Sequence, residues 1–326
     1  MPANPQTATA IASPNIAFIK YWGNRDQSIR LPANGSISMT LGGLESRVAV
    51  TFDPRLESDR LETHGVQFDH DPLPRISHHL DLIREMVGTD TPAHIETESN
   101  FPAGAGIASS SAVFAALTLA ASRAASLPLD PPSLSRLARR GSGSACRSIF
   151  AGFVEAFAGD SDQDAFAQSF APPEYWRIID LIAIVDKQHK RIGSTAGHAL
   201  APTSPLQKAR VADAPRRLDL CRQAITGRNF LPLATILEQD SNMMHAVMLT
   251  SNPPLFYLSP TSLALMEAIS SWRASGLRAC YTLDAGPNVH CITHLDDSEE
   301  VASRLRVFPG VEEVLQAPPG EAARLV

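Results

Sequence analysis

Residues 101–125 read FPAGAGIASSSAVFAALTLAASRAA. The opening is Gly, Ala and Ser; the remainder is a run without Gly or Pro. Gly104 and Gly106 permit dihedrals and close approaches that a Cβ forbids. Ser109, Ser110 and Ser111 supply hydroxyls and backbone N–H groups where the helical run begins. The run 107–125, rich in Ala, Leu and Ser, reads as a buried helix. A loop feeding a helix N-terminus offers unpaired N–H donors and the positive end of the dipole, which suits phosphate. The pattern is not a Walker A loop, because no Gly-Lys-Ser/Thr follows. Nor is it a dinucleotide fingerprint, because no matching acid sits on a following strand. Taken alone, the same composition would also serve tight helix packing.

Outward from this stretch, 48–52 (VAVTF) and 94–97 read as strands. Segment 77–87 reads as a helix with Leu80, Ile83 and Val87 on one face. Segment 131–140 opens another helix, with Ser133 as its N-cap. Residues 181–185 (LIAIV) form an apolar run of strand length, preceded by a polar, Pro-bearing stretch at 160–173. Helices are expected near 207–226, 230–246 and 262–275, and strands at 279–283 and 289–293. Mixed elements without strict βα alternation favour an α+β fold over a doubly wound sheet. The expected division is 1–178 and 179–326.

The 326 residues suffice for two cores. With 44% hydrophobic and 19% charged residues, the composition is that of a globular protein. A net charge of −6 argues against nucleic acid or an anionic membrane as the main partner. Cys146, Cys221, Cys280 and Cys291 form no CxxC pair and no zinc-type spacing, so buried free thiols and no metal site are expected. No run reaches the ~18 apolar residues of a membrane span. The first residues, MPANPQTATA, lack the charged and apolar regions of a signal peptide. The expectation is a cytoplasmic protein.

Three further clusters carry chemistry. SPNIAFIKYWGNRD (13–26) sets Lys20 in an apolar run, either snorkelling or beside an anion. ARRGSGSACRS (138–148) packs Arg139, Arg140 and Arg147 around a Gly-Ser turn, either as forks for carboxylate or phosphate or as solvated arginines at a helix–turn–helix joint. YTLDAGPN (281–288) puts Asp284 at the end of an apolar strand, as a turn former or as a carboxylate aimed into a cleft.

In order, SPNIAFIKYWG, FPAGAGIASSSA, ARRGSGSACRS, GSTAGH, DSNMMHA and YTLDAGPN closely resemble the diphosphomevalonate decarboxylase family. That family lies within the superfamily of galactokinase, homoserine kinase, mevalonate kinase and phosphomevalonate kinase (GHMP). The likeness runs from about residue 13 to about residue 293. It implies a two-domain GHMP-type fold, with an N-terminal domain like ribosomal protein S5 domain 2 and a ferredoxin-like C-terminal domain. It also implies a homodimer that uses ATP and Mg²⁺ on a phosphorylated mevalonate. The tertiary 3-hydroxyl is phosphorylated, and phosphate and CO₂ then leave together.

By the same resemblance, Pro102, Gly104, Ala105, Gly106, Ala108, Ser109 and Ser110 would cradle the nucleotide phosphates. Arg147 would clamp the substrate carboxylate, and Asp284 would orient the hydroxyl and stabilise charge at C3. Lys20 would hold Asp284 ionised and neutralise transferring phosphate. Tyr21, Ser142, Gly143, Ser144, Ser194, Thr195 and His198 would contact substrate. The family usually reads YWGK where this chain has Asn24. Asn24 therefore removes a cation from the distal phosphate and brings mevalonate 5-phosphate forward as a substrate, unless Arg25 or His198 compensates. A simple GHMP-type kinase would share the phosphate cradle, and a non-catalytic nucleotide-binding module would have lost the lysine, arginine and aspartate.

Overall fold

A computed structural model describes residues 6–64, 71–101, 109–187 and 193–326. Its first half is built on a five-stranded sheet in the order Arg324–Leu325, Gln6–Ala12, Ser46–Phe52, Ala93–Ser99, Arg60–His64. Neighbours are antiparallel except the last pair, which is parallel. Ser46–Phe52 alternates as the period of a strand dictates: Val48, Val50 and Phe52 face inward. Against that face lie helices Leu73–Val87, Ser109–Ala124 and Pro131–Gly141, closing a core around Leu80, Ile83, Ile95, Phe114 and Leu117. Helix Ser109–Ala124 is buried almost all round, as its alanine content anticipates. The helix expected from Ser133 starts earlier. Pro131 and Pro132 occupy its first turn, and Asp130 caps it, accepting from the Ser133 N–H at 2.8 Å.

Two four-stranded sheets follow. One runs Ala167–Ala171, Phe153–Ala156, Ser36–Thr40, Asn15–Ile19; the other runs Ala279–Thr282, Val289–His294, Ile178–Ile184, Glu313–Ala317. Between them, helices Ala214–Thr226 and Phe230–Leu249 contribute to one core with Phe18, Ile37, Ile182, Leu237 and Ile292. Helices Pro260–Ala274 and Ser298–Arg306 cover the other face of the second of these sheets. Every residue of Ile178–Ile184 is buried, which is why that strand reads as a continuous apolar run rather than an alternation. The single helix expected over 207–226 is two, Gln207–Ala212 and Ala214–Thr226, because Pro215 has no N–H to continue the first. No described helix is long and apolar enough to cross a membrane. All four cysteines are buried and unpaired.

Candidate active site

Two strand ends meet to make the centre of the site. Asn15–Ile19 is wholly buried and delivers Lys20 at its end; Ala279–Thr282 leaves its ladder just before Asp284. Lys20 Nζ donates to Asp284 Oδ1 at 2.7 Å. The lysine side chain is 1% exposed, while that of Asp284 is 24% exposed. Burial pushes the Lys20 pKa down, more than the Asp284 charge raises it. Burial alone would raise the Asp284 carboxyl, but Lys20, His290 and Arg147 outweigh it and hold the group below its usual range. The pair is therefore an ionised carboxylate facing open space beside a desolvated ammonium.

The backbone of Lys20 is clamped from helix Phe230–Leu249 and its neighbours. Its N–H donates to Asp240 Oδ2 at 2.7 Å. Its carbonyl accepts from Asn34 Nδ2 at 3.0 Å and Arg210 Nη2 at 2.8 Å. Arg217 Nε closes the network on Asp240 Oδ1 at 2.7 Å. Asp240 belongs to DSNMMHA, a motif recognised from the sequence but given no role there. The same helix presents His245 beside the site, where burial and then the Lys20 charge lower its pKa to about 4. It is a neutral imidazole at physiological pH.

Arg147 is 3% exposed and has no carboxylate partner among the described residues. Its Nε donates to Asn15 Oδ1 at 3.0 Å and its Nη1 to Ser36 Oγ at 2.7 Å. Asn15 is fixed in turn by donating to Ser144 O at 3.1 Å and Ser148 Oγ at 2.8 Å. Neutral oxygens thus orient the guanidinium without cancelling its charge. Arg139 lies in the same motif but is structural: it donates to the carbonyls of Ala165, Ile29 and Arg30.

The turn after helix Pro131–Gly141 carries Ser142, Gly143 and Ser144. Ser142 Oγ lies 3.1 Å from Ser110 Oγ, which ties this turn to the start of helix Ser109–Ala124. A Cβ on Gly143 would overlap the Tyr21 ring, so only glycine fits there. The Tyr21 hydroxyl donates to Asn24 Oδ1, and burial pushes its pKa up to about 12. The His198 ring packs against both Tyr21 and Trp22, with centroids 4.3 and 4.4 Å apart. Its Nδ1 accepts from the Gly23 N–H at 2.9 Å, which fixes the ring against Tyr21 and Trp22.

These groups border one cleft of about 270 Å³. Lys20, Tyr21, Ser109, Ser110, Ser142, Gly143, Ser144, Arg147, Ser194, Thr195, His198 and Asp284 all face it. Asn24 does not: it is 8% exposed, and its Nδ2 is turned to Gln27 Oε1 at 2.7 Å. Arg25 does not supply the missing charge either. It points away, donating to the carbonyls of Pro32, Ala158 and Gly159. Two arginines that the sequence did not single out, Arg30 and Arg75, line the cleft instead. Pro102, Gly104, Ala105, Gly106 and Ala108 lie outside the described residues. Among the described residues no three His, Cys, Asp or Glu side chains gather as a metal site.

Chemically, the cleft offers an ionised carboxylate with its lysine, a buried guanidinium held by neutral oxygens, and serine donors at a helix start. That set suits phosphoryl transfer to a hydroxyl of an acid.

Comparison with known proteins gives the same picture over nearly the whole chain. The diphosphomevalonate decarboxylase-like N-terminal domain matches residues 12–167, and the mevalonate 5-diphosphate decarboxylase C-terminal domain matches 180–322. A diphosphomevalonate decarboxylase of Ganoderma lucidum is 37% identical, over 94% of this chain and 83% of its own. That of Candida albicans is 38% identical, over 90% and 85%. Mevalonate diphosphate decarboxylase from Staphylococcus aureus superposes with a TM-score of 0.94 at 31% identity, covering 99% of this chain and 98% of its own. A structure of MDDEF in complex with MVAPP, AMPPCP and magnesium superposes with a TM-score of 0.93 at 33% identity, covering 99% of both chains.

Proposed function

The chain belongs to the diphosphomevalonate decarboxylase family, and from that premise we propose how its cleft works. It catalyses ATP-dependent decarboxylation of mevalonate 5-diphosphate, giving isopentenyl diphosphate in the mevalonate pathway. The observation that carries this reading is the Lys20–Asp284 pair at 2.7 Å in one cleft with the uncompensated Arg147. A kinase needs the nucleotide edge and a base. A decarboxylase also needs a fixed cation for the carboxylate that will leave, and Arg147 meets that need.

Asp284 would accept a hydrogen bond from the 3-hydroxyl and so orient it, the proton itself leaving on the transferred phosphate. Held ionised by Lys20, it would then face the positive charge that grows at C3 as phosphate departs. Lys20 would also neutralise negative charge on the phosphoryl group in transit. Arg147 would hold the carboxylate so that the breaking C–C bond lines up with the departing phosphate. The start of helix Ser109–Ala124, with Ser109 and Ser110 lining the cleft, fits the phosphates of ATP. ATP with Mg²⁺ supplies the phosphoryl group that turns the tertiary hydroxyl into a leaving group. Residues 1–178 would carry the nucleotide and 179–326 would complete the cleft with Ser194, Thr195 and Asp284. We further infer a cytoplasmic homodimer, a reading that the four free buried thiols support as regards compartment.

One observation favours a second substrate. Asn24 lies off the cleft with its amide engaged by Tyr21 and Gln27, so no charge comes from this position to a terminal phosphate. Mevalonate 5-phosphate should then be used at least comparably to the diphosphate, giving isopentenyl phosphate. The test is kcat/KM for both substrates in the wild type and in Asn24→Lys. The substitution should move selectivity toward the diphosphate. A wild type confined to the diphosphate, with no change in Asn24→Lys, contradicts this second reading.

A further inference from the structure

We propose that Arg30 is the residue that reads the phosphorylated end of the substrate, supplying the cation that position 24 lacks. The inference rests on the decarboxylase reading and extends it to specificity. Arg30 sits in the hairpin that joins Asn24–Asp26 to Leu31–Pro32. Its φ is 49°, a left-handed backbone that a non-glycine residue keeps only when its surroundings impose it. Here they do. Arg139, itself 1% exposed, donates from Nη1 to the carbonyls of Ile29 and Arg30 and from Nε to Ala165 O at 2.8 Å. Arg30 Nε donates to Arg140 O at 3.1 Å. The last turn of helix Pro131–Gly141 thus fixes both the backbone and the head of Arg30.

What this arrangement holds in place is an uncompensated charge. Arg30 lines the cleft and, among the described residues, has no carboxylate partner and no acceptor at either Nη. Beside it is Arg75, whose Nε and Nη2 donate to Gly141 O at 3.1 and 2.8 Å and whose guanidinium lies 4.5 Å from the centre of the Phe114 ring. Burial, and after it the nearby Arg30 charge, lower the Arg75 pKa to about 10. Two like charges gathered in a cleft are unfavourable until a multiply charged anion arrives. At the reacting end, by contrast, Lys20 is already matched by Asp284. The two ends are bridged by Tyr21, whose hydroxyl bonds Asn24 and whose strongest charged neighbour is Arg30. Tyr21 thus bonds Asn24 through its hydroxyl and feels the Arg30 charge, so a cation at either position would lie near one phenol.

The test uses Arg30→Asn, since asparagine accepts left-handed φ, with Arg30→Gly as a second variant equally suited to that backbone. Both are titrated with inorganic pyrophosphate and inorganic phosphate by calorimetry, and assayed with mevalonate 5-phosphate and 5-diphosphate. Loss of a charge-assisted contact should weaken pyrophosphate binding and raise KM for the phosphorylated substrate by roughly ten- to a hundredfold. The KM for ATP should hold, and kcat should change far less than KM. Adding Asn24→Lys to Arg30→Asn should restore much of the affinity. Unchanged pyrophosphate affinity and unchanged KM in both variants would overturn the assignment, as would a fall in kcat alone. If the wild type released CO₂ from neither substrate, the decarboxylase reading would fail, and the pyrophosphate titration would still decide Arg30 independently.

Discussion

At the scale of single residues, Asp284 and Lys20 set each other's protonation, and the signs differ. The Asp284 pKa is depressed, so its contribution to stability is present above the unfolded value of about 3.9 and is lost as pH falls through the lower folded value. The Lys20 pKa is also depressed, so its burial costs stability below that lowered value, and the cost vanishes above the ordinary lysine range. Lys20→Met should therefore do more than slow turnover. With the ammonium gone, burial dominates and raises the Asp284 pKa, so the acid limb of the pH–rate profile of the residual activity should move to higher pH. A profile that kept its acid limb would argue against the pairing. Asp284→Asn preserves size and can still accept from Lys20, so the fold should persist in circular dichroism. Its kcat should nonetheless fall by about 10³-fold, the scale of removing a main electrostatic stabiliser. Near-normal turnover would remove Asp284 from the chemistry. Arg147→Lys should fail too, because an ammonium cannot reach Asn15 Oδ1 and Ser36 Oγ and still present a planar edge. Retained substrate affinity and turnover would make Arg147 a structural residue.

At the scale of elements, the site depends on a helix that acts on it through the backbone of Lys20. Asp240, on Phe230–Leu249, receives the Lys20 N–H and the Arg217 guanidinium in a fully buried place. Asp240→Ala strands Arg210 and part of Arg217 without an acid, at a cost of about 3–5 kcal/mol. Urea unfolding should show that loss together with reduced turnover; an unchanged midpoint would mean the network is dispensable. The sequence left this helix's role unread because Asp240 looks like any polar residue in a helix, and its partners lie far away along the chain. The Ala-rich helix Ser109–Ala124 and the apolar strand Ile178–Ile184 were legible, because burial on every side leaves a continuous signature. Gln6–Ala12 (QTATAIA) and Ser36–Thr40 (SISMT) were not, because small residues and hydroxyls blur the alternation. The break at Asp213 had a visible cause in Pro215. Arg30 had none: its importance lies in a left-handed φ and in carbonyls that only the folded chain brings to it.

At the scale of the whole molecule, the cleft is assembled from both halves of the chain. Lys20, Arg30, Arg147 and the helix-start serines come from the first half; Ser194, Thr195, His198 and Asp284 come from the second. Motif order along the chain made most of this grouping readable, since Lys20 and Asp284 follow strands, Ser109 and Ser194 open helices, and Ser142 follows one. Charge balance across the cleft was not readable: the sequence put Arg25 forward, but its head donates to Ala158 O, while Arg30 lines the cleft. Magnesium should be required for turnover and should bind weakly without nucleotide, because the ion takes its ligands from substrate phosphates and one or two side chains. Calorimetry with Mg²⁺ alone checks this, and tight binding would contradict it. The central claim is that phosphoryl transfer and carbon–carbon cleavage occur in one cleft on one substrate. Mevalonate 5-diphosphate labelled in its carboxyl carbon should be incubated with ATP and Mg²⁺, and labelled CO₂ measured alongside ADP and free phosphate. The three products should appear in equal amounts from the first turnovers. ADP formed without labelled CO₂, with a stable 3-phosphorylated acid left behind, would show a kinase and contradict the account.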